Sequence, residues 1–230
     1  MSKTVFITGA SSGLGKAAAK LFHGKGWNVA ATMRAPEKET ELTELENAKL
    51  YKLDVTSPEQ IDDSTKQAIE DFGKVDVVLN NAGYGLAGVL EAVDDDQITR
   101  QFNTNLLGTI RVIKSFQSHF RANKDGMFIN VTSIGGLMAF PMFSLYHATK
   151  WALEGFSESL WFEMKAIGVG VKTVSPGGIS TDFAGRSLDM ADASSMNEYD
   201  DLIASMMKMF NDPERQKNYS TLVKTHILEV

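Results

Sequence analysis

The sequence predicts an α/β fold: a doubly wound parallel sheet of six or seven strands with helices on both faces. Three observations lead there. Short apolar runs alternate with helical stretches over about 180 residues, the pattern of successive right-handed strand–helix–strand crossovers. The runs are nearly continuous in apolar residues, as strands buried on both faces require. A glycine-rich turn, TGASSGLG, sits at the first strand-to-helix junction.

Each element has its own signal. Residues 4–8 (TVFIT) are β-branched and apolar and run into the glycine turn, which marks a buried strand. Residues 14–24 are Ala-rich and end at HGKG, a helix with its stop. NVAATM (28–33) is a second strand, followed by a charged stretch expected to be helical over about 37–47. KLYKLDV (49–55) is the third strand. Residues 58–71 form a helix with Pro58 in its first turn, where a missing N–H costs little. VDVVLN (75–80) is the fourth strand. A long helix follows over about 95–120, with Ile98, Phe102, Leu106, Ile110 and Ile113 at helical spacing. GMFINVTS (126–133) is the fifth strand, 144–167 another long helix, and GVKTVSP (170–176) the sixth strand. Residues 183–230 read as a substrate-side segment with a Met-rich helix. HILEV at the end is the candidate for a seventh strand. With no linker or repeat, residues 1–230 read as one domain.

Composition narrows the function. A net charge of −6 without a long basic block disfavours nucleic acid and anionic membrane as partners. The N-terminus lacks the apolar core of a signal peptide, and no run reaches membrane-helix length. The expectation is a soluble cytoplasmic protein. The absence of cysteine excludes disulfides, thiolate metal sites and a cysteine nucleophile. No His, Asp and Glu grouping has ligand spacing, so no metal is expected.

Two stretches carry chemistry. In TGASSGLG, Gly9 suits a turn closed to other residues. Gly13 and Gly15 allow close backbone approach, and Ser11 and Ser12 add hydroxyl donors. The helix N-terminus that follows favours a phosphate. In SLYHATKWAL (144–153), Tyr146 and Lys150 lie one helical turn apart on a shared face. A fixed ammonium within about 4–6 Å of a phenol favours the phenolate and lowers a pKa that is ordinarily near ~10. Such a pair can exchange a proton with a carbonyl or alcohol oxygen. Read apart from that context, the two are a half-buried packing residue and a surface charge. His147 points about 100° away from Tyr146 and reads as structural.

The spacing GxxxGxG, followed by NNAG (80–83), NTNLLG (103–108), NVTSIGG (130–136), YHATK and SPGGIST (175–181), resembles the short-chain dehydrogenase/reductase family in its compact branch, over about residues 3–183. Ser133 lies 13 residues before Tyr146, the spacing that family has for its catalytic Ser. The resemblance implies a Rossmann-like fold with Asn105, Ser133, Tyr146 and Lys150 as catalytic residues. Tyr146 would be general acid/base and Ser133 the partner of the substrate oxygen. Lys150 would also bond the nicotinamide ribose, and Asn105 would sit in a helix distortion that holds a water beside Lys150. It further implies a dinucleotide held by Gly9, Ser11, Ser12, Gly13, Leu14, Gly15, Asp54, Val55, Asn81, Ala82, Gly83, Pro176, Gly177, Ile179 and Thr181, as well as by Tyr146 and Lys150.

At the end of the second strand Met33 stands where an acidic residue would bind a ribose 2′-hydroxyl, and Arg34 follows. A guanidinium suits a 2′-phosphate, so NADP(H) is favoured over NAD(H). The alternative is a surface Arg34 paired with Glu37. Leu86, Met138, Phe140, Met142, Phe143, Phe183 and the Met-rich helix suggest an apolar cleft, hence a small hydrophobic carbonyl or alcohol substrate. The leading reading is an NADP(H)-dependent oxidoreductase, expected from the family to be a homo-oligomer. Against it stands a catalytically weak nucleotide-binding regulatory protein on the same fold. A lyase or epimerase is disfavoured by the compact glycine pattern.

Overall fold

The computed structural model describes residues 2–177 and 187–210. Its strands are β1 (Thr4–Ile7), β2 (Asn28–Met33), β3 (Ala48–Lys52), β4 (Val77–Asn80), β5 (Gly85–Ala87), β6 (Met127–Val131), β7 (Gly170–Val174) and β8 (Leu188–Met190). Its helices are α1 (Gly13–Gly24), α2 (Pro58–Phe72), α3 (Asp95–Phe102), α4 (Thr109–Asn123), α5 (Ser144–Lys165) and α6 (Asp200–Phe210). Six strands form one parallel sheet in the order β3-β2-β1-β4-β6-β7. The order reverses between β1 and β4. The carboxyl ends of β1 and β4 there carry the glycine turn and the NAG turn, the place where sheets of this order hold their ligands.

The alternation along β1 divides the core in two. Phe6 faces a layer with Phe116, Phe120, Phe128, Leu160 and Met164, from α4, β6 and α5. Val5 and Ile7 face the opposite layer with Ala18, Ala19, Leu42 and Ile129. Aromatic contacts fix the first layer: Phe6 meets Phe116 edge-on at 4.9 Å between centroids, and Phe120 lies 4.8 Å from Phe128. Among the described residues no helix is long and apolar enough to cross a membrane.

The structure corrects the helix expected over 37–47. Two single 3₁₀ turns, Pro36–Lys38 and Leu42–Glu44, stand there instead. Glu39 explains the difference. Its carboxylate accepts from the backbone N–H of Glu41 at 2.9 Å and of Leu42 at 3.1 Å, and it pairs with Lys16 at 3.0 Å. Those bonds cap a new turn at the point where a continuous helix would need the same N–H groups for itself.

The long helix over 95–120 is three pieces. Asp94 and Gln97 start α3 with a reciprocal capping box. Residues Asn103–Gly108 then form a π-helical turn before α4 begins. The buried face also differs from the expected one. Ile113 is buried as expected, but Gln101, Asn105, Gly108, Val112 and Phe116 are buried too, whereas Ile98, Phe102, Leu106 and Ile110 are only half-buried. A small second sheet, β5 paired in parallel with β8, was not anticipated, because three-residue strands carry no usable periodicity. HILEV lies outside the described residues.

Below the sheet, His119 Nε2 accepts from the Val75 N–H at 3.2 Å, which requires a neutral ring. Burial first, and the positive charge of Lys74 with it, hold its pKa below the ordinary value of 6.5, against the Val75 contact and Asp76. Its contribution to stability is therefore complete above the unfolded pKa and is lost as pH falls through the lower folded value. We expect the thermal midpoint to drop between about pH 7 and about pH 5. His119→Gln should flatten that dependence in calorimetry across the same range.

Candidate active site

The glycine turn is braced from β4. The Asn81 side-chain amide donates to the carbonyls of Thr8 at 3.0 Å and Gly9 at 3.1 Å, while Thr8 Oγ1 accepts from the N–H groups of Asn81 and Ala82. Gly9 adopts φ +68°, open to glycine at little cost. Gly15 packs so closely that an added Cβ would lie 2.3 Å from the Gly9 oxygen and 2.5 Å from Asn81 Nδ2. Ser12 is the N-cap of α1 in extended conformation, and its hydroxyl makes no cap bond among the described residues. The first-turn N–H groups therefore remain for a ligand. Ser11 and Gly13 are exposed, and Leu14 is half-buried. These features fit a pyrophosphate.

Around this turn, Met33 is buried and Arg34 exposed, with no ion pair to Glu37 among the described residues. The Ala10 N–H donates to Thr32 O at 2.9 Å, which draws the glycine turn against the end of β2 beside Arg34. Asp54 Oδ1 accepts from the Thr56 N–H and hydroxyl, and Val55 packs where a Cβ on Gly108 would meet it at 2.8 Å. The Pro176 carbonyl accepts from Ile134 N–H at 2.8 Å, and Gly177 is exposed. Ile179, Thr181 and Phe183 lie outside the described residues.

The second half of the site stands on α5. Ser133 lies two residues past the end of β6 and caps the short turn Ile134–Gly136; its Oγ accepts from Gly135 N–H at 3.0 Å, and it draws the Tyr146 phenol's pKa down. Lys150 is buried, and its Nζ donates to Val131 O at 2.9 Å and lies 5.8 Å from the centre of the Tyr146 ring. Gly83 is beside it: a Cβ there would be 3.7 Å from Nζ and 3.1 Å from Asn105 Oδ1. Tyr146, Lys150, Ser133 and Asn105 thus converge on one place. Burial pushes the Lys150 ammonium down to about 8, with Glu154 acting weakly the other way.

One expectation is overturned here. The Tyr146 phenol is raised above its ordinary value, not lowered: burial dominates, the bond from Ser133 opposes it, and Lys150 is not among the causes. The ammonium is directed to a backbone carbonyl of β6, and so the unliganded phenol is neutral.

Asn105 is fully engaged. From the π turn its Oδ1 accepts from Tyr84 N–H at 3.0 Å, and its Nδ2 donates to Tyr84 O at 2.8 Å and to Thr149 Oγ1 at 3.3 Å. Gln101 donates to the same Tyr84 carbonyl at 3.0 Å. Sequence reasoning missed Gln101 and Tyr84. The signal was present in the four-residue spacing of Gln101 and Asn105, two polar side chains on one helix face. Next to Tyr146, Ala87, Phe143 and Met206 form a small apolar cluster with Met142 and Leu188 packed on it. Leu86 is buried, whereas Met138 is exposed and Phe140 half-buried.

The model of the short chain dehydrogenase family matches residues 3–192. The chain belongs to that family. An uncharacterized oxidoreductase of Schizosaccharomyces pombe is 43% identical over 179 residues, 76% of each chain. A 3-ketodihydrosphingosine reductase of Bacteroides thetaiotaomicron is 33% identical, over 92% of this chain and 77% of that one. Among solved structures, ElxO with NADP bound aligns with a TM-score of 0.75 at 33% identity, over 87% of this chain and 79% of that chain. The short-chain dehydrogenase is accordingly an oxidoreductase with a Rossmann-like parallel sheet, and its nicotinamide dinucleotide would lie across the carboxyl ends of the strands.

We expect Gly15→Ala to cost about 1–3 kcal/mol in stability, since backbone rather than a flexible side chain meets the new methyl group. Dinucleotide affinity should fall at least about tenfold. Thermal unfolding and fluorescence titration with NADPH measure the two effects.

Proposed function

We propose that the protein is an NADP(H)-dependent oxidoreductase that interconverts a hydrophobic ketone or aldehyde and its alcohol, with Tyr146 as general acid and base. The observation that carries this reading is the buried ammonium of Lys150 beside the Tyr146 ring, with Ser133 close enough to draw the phenol's pKa down against burial. A bound dinucleotide would supply or accept the hydride. The chain's own groups handle the oxygen. Ser133 and Tyr146 present two hydroxyls to a carbonyl oxygen and hold its carbon toward the strand ends. A neutral phenol is the protonation state that gives up a proton when a carbonyl is reduced. The phenolate left behind is stabilised by Lys150, whose ammonium has two further N–H donors beyond the bond to Val131. Gly9, Ser11, Ser12, Gly13, Leu14 and Gly15 would hold the pyrophosphate, and Asp54, Val55, Asn81, Ala82 and Gly83 would line the path from there to Lys150.

Arg34 supports the phosphorylated cofactor. It is exposed beside the glycine turn, and Met33 offers no carboxylate to repel a 2′-phosphate. The NADP bound by the similar ElxO agrees. The apolar cluster at Tyr146 supports a hydrophobic substrate, as does the likeness to a reductase named for a sphingoid ketone.

Tyr146→Phe should reduce turnover about 10²–10⁴-fold while NADPH binds within about threefold of wild type. Stopped-flow absorbance with a panel of apolar ketones reads the first, and fluorescence titration the second. Wild-type turnover in the variant would overturn the acid/base assignment. Arg34→Ala should raise the KM for NADPH and leave that for NADH nearly unchanged. Equal effects on both would refute the phosphate contact.

A further inference from the structure

We propose that His147 is a positioning residue, whose neutral imidazole clasps both ends of residues 135–140 and thereby fixes Ser133 against Tyr146. The inference rests on the reading of Ser133 and Tyr146 given above, and it concerns a side chain that the reaction itself does not use.

The His147 ring is buried, with 5% of its surface exposed. Its Nδ1 lies 2.7 Å from the Gly135 carbonyl oxygen, and its Nε2 lies 2.8 Å from the Phe140 backbone nitrogen. These partners determine the proton's place. The Phe140 N–H can only donate, so Nε2 accepts. The Gly135 oxygen can only accept, so Nδ1 carries the hydrogen. One ring thus ties two backbone groups five residues apart.

Gly135 passes the constraint on. Its carbonyl is held by His147 while its N–H donates to Ser133 Oγ at 3.0 Å, and the Ser133 hydroxyl acts on the Tyr146 phenol, lowering its pKa against burial. A serine hydroxyl otherwise has three staggered positions and a free rotor. With one lone pair committed to Gly135 N–H, Ser133 keeps its remaining donor and acceptor for the phenol and a substrate oxygen. The fit at Gly135 is close: a Cβ there would lie 2.8 Å from His147 Nδ1 and 3.2 Å from Tyr146 Cε1. Any side chain would separate the clasp from the reactive phenol.

The loop's other bonds are local to its first turn: Gly136 N–H donates to Ser133 O at 2.8 Å, and the N–H groups of Leu137 and Met138 donate to Ile134 O at 2.9 and 3.0 Å, so His147 alone among these contacts ties the turn to Phe140. Leu137 and Met138 point outward, 60% and 49% exposed. Ile134 N–H reaches Pro176 O, and Met142 O accepts from Gly88 N–H, but both bonds lie outside the 135–140 span. Met142 takes φ +64°, a conformation unfavourable for its side chain, just before α5 begins. The phenyl rings of Phe140 and Phe143, 5.2 and 6.2 Å from the imidazole, close over the clasp.

Two substitutions separate its limbs. His147→Asn places an amide donor near the Nδ1 position, within reach of Gly135. His147→Gln places an amide oxygen near the Nε2 position, within reach of Phe140 N–H. We expect kcat to fall about tenfold or more in His147→Gln and His147→Ala, and to return within about threefold of wild type in His147→Asn. KM for NADPH should change less than about twofold in all three. Equal kcat in the Asn and Gln variants, or wild-type kcat in the Ala variant, would overturn the proposal. Amide hydrogen exchange at Phe140, measured without substrate, should quicken in His147→Ala and His147→Asn, which leave its N–H without the ring acceptor, and stay near wild type in His147→Gln. Unchanged exchange in the Ala and Asn variants would also overturn it. Because that readout needs no turnover, failure of the wild type to reduce any ketone would count against the proposed reaction and leave the clasp to be judged by exchange alone.

Discussion

A lysine ammonium buried under the end of the parallel sheet is the constraint around which the site is arranged. Removing such a charge from water is costly unless its donors find partners. The Val131 carbonyl supplies one, and it does so because β6 ends there and α5 crosses over it. Gly83 leaves room for the ammonium because it has no side chain, and the turn containing Gly83 and Tyr84 is gripped by Asn105 and Gln101. A regular helix would not place Asn105 at that turn, and the π segment does. The distortion of one helix, the missing side chain at Gly83 and the end of a strand all serve the same buried cation.

The neutral phenol beside it completes the electrostatics. Lys150 lowered to about 8 and Tyr146 raised above its ordinary value share one cause, removal from solvent. Neither group relieves the other, since the ammonium is bonded to backbone. The unliganded site is therefore one in which both groups keep their protons.

Much of this was legible in the chain. The strands declared themselves because both faces are covered, and the glycine turn because phosphate binding demands its spacing. Helical spacing put Tyr146 and Lys150 on one face, but their role was legible only together with the other motifs of the family. What escaped notice was decided by bonds between distant residues. Glu39 turned an expected helix into two short turns through contacts with Lys16 and nearby backbone. Asn105 and Gln101 moved the buried face of the long helix away from the expected one, which kept only Ile113 fully buried, because their side chains bond Tyr84. The Tyr146 phenol went the opposite way from the expectation because spacing fixes where a cation can reach, not which oxygen it chooses.

The short ribbon of β5 and β8 stands apart from the six-stranded sheet, yet it brings Ala87 and Leu188 to the wall beside Tyr146. Its three-residue strands carry none of the groups that grip Lys150 or brace the glycine turn. Drift in that ribbon would alter the apolar wall beside Tyr146 and leave the groups around Lys150 in place. Within such an architecture, preferences among substrates can diversify quickly between descendants while the underlying reaction stays the same.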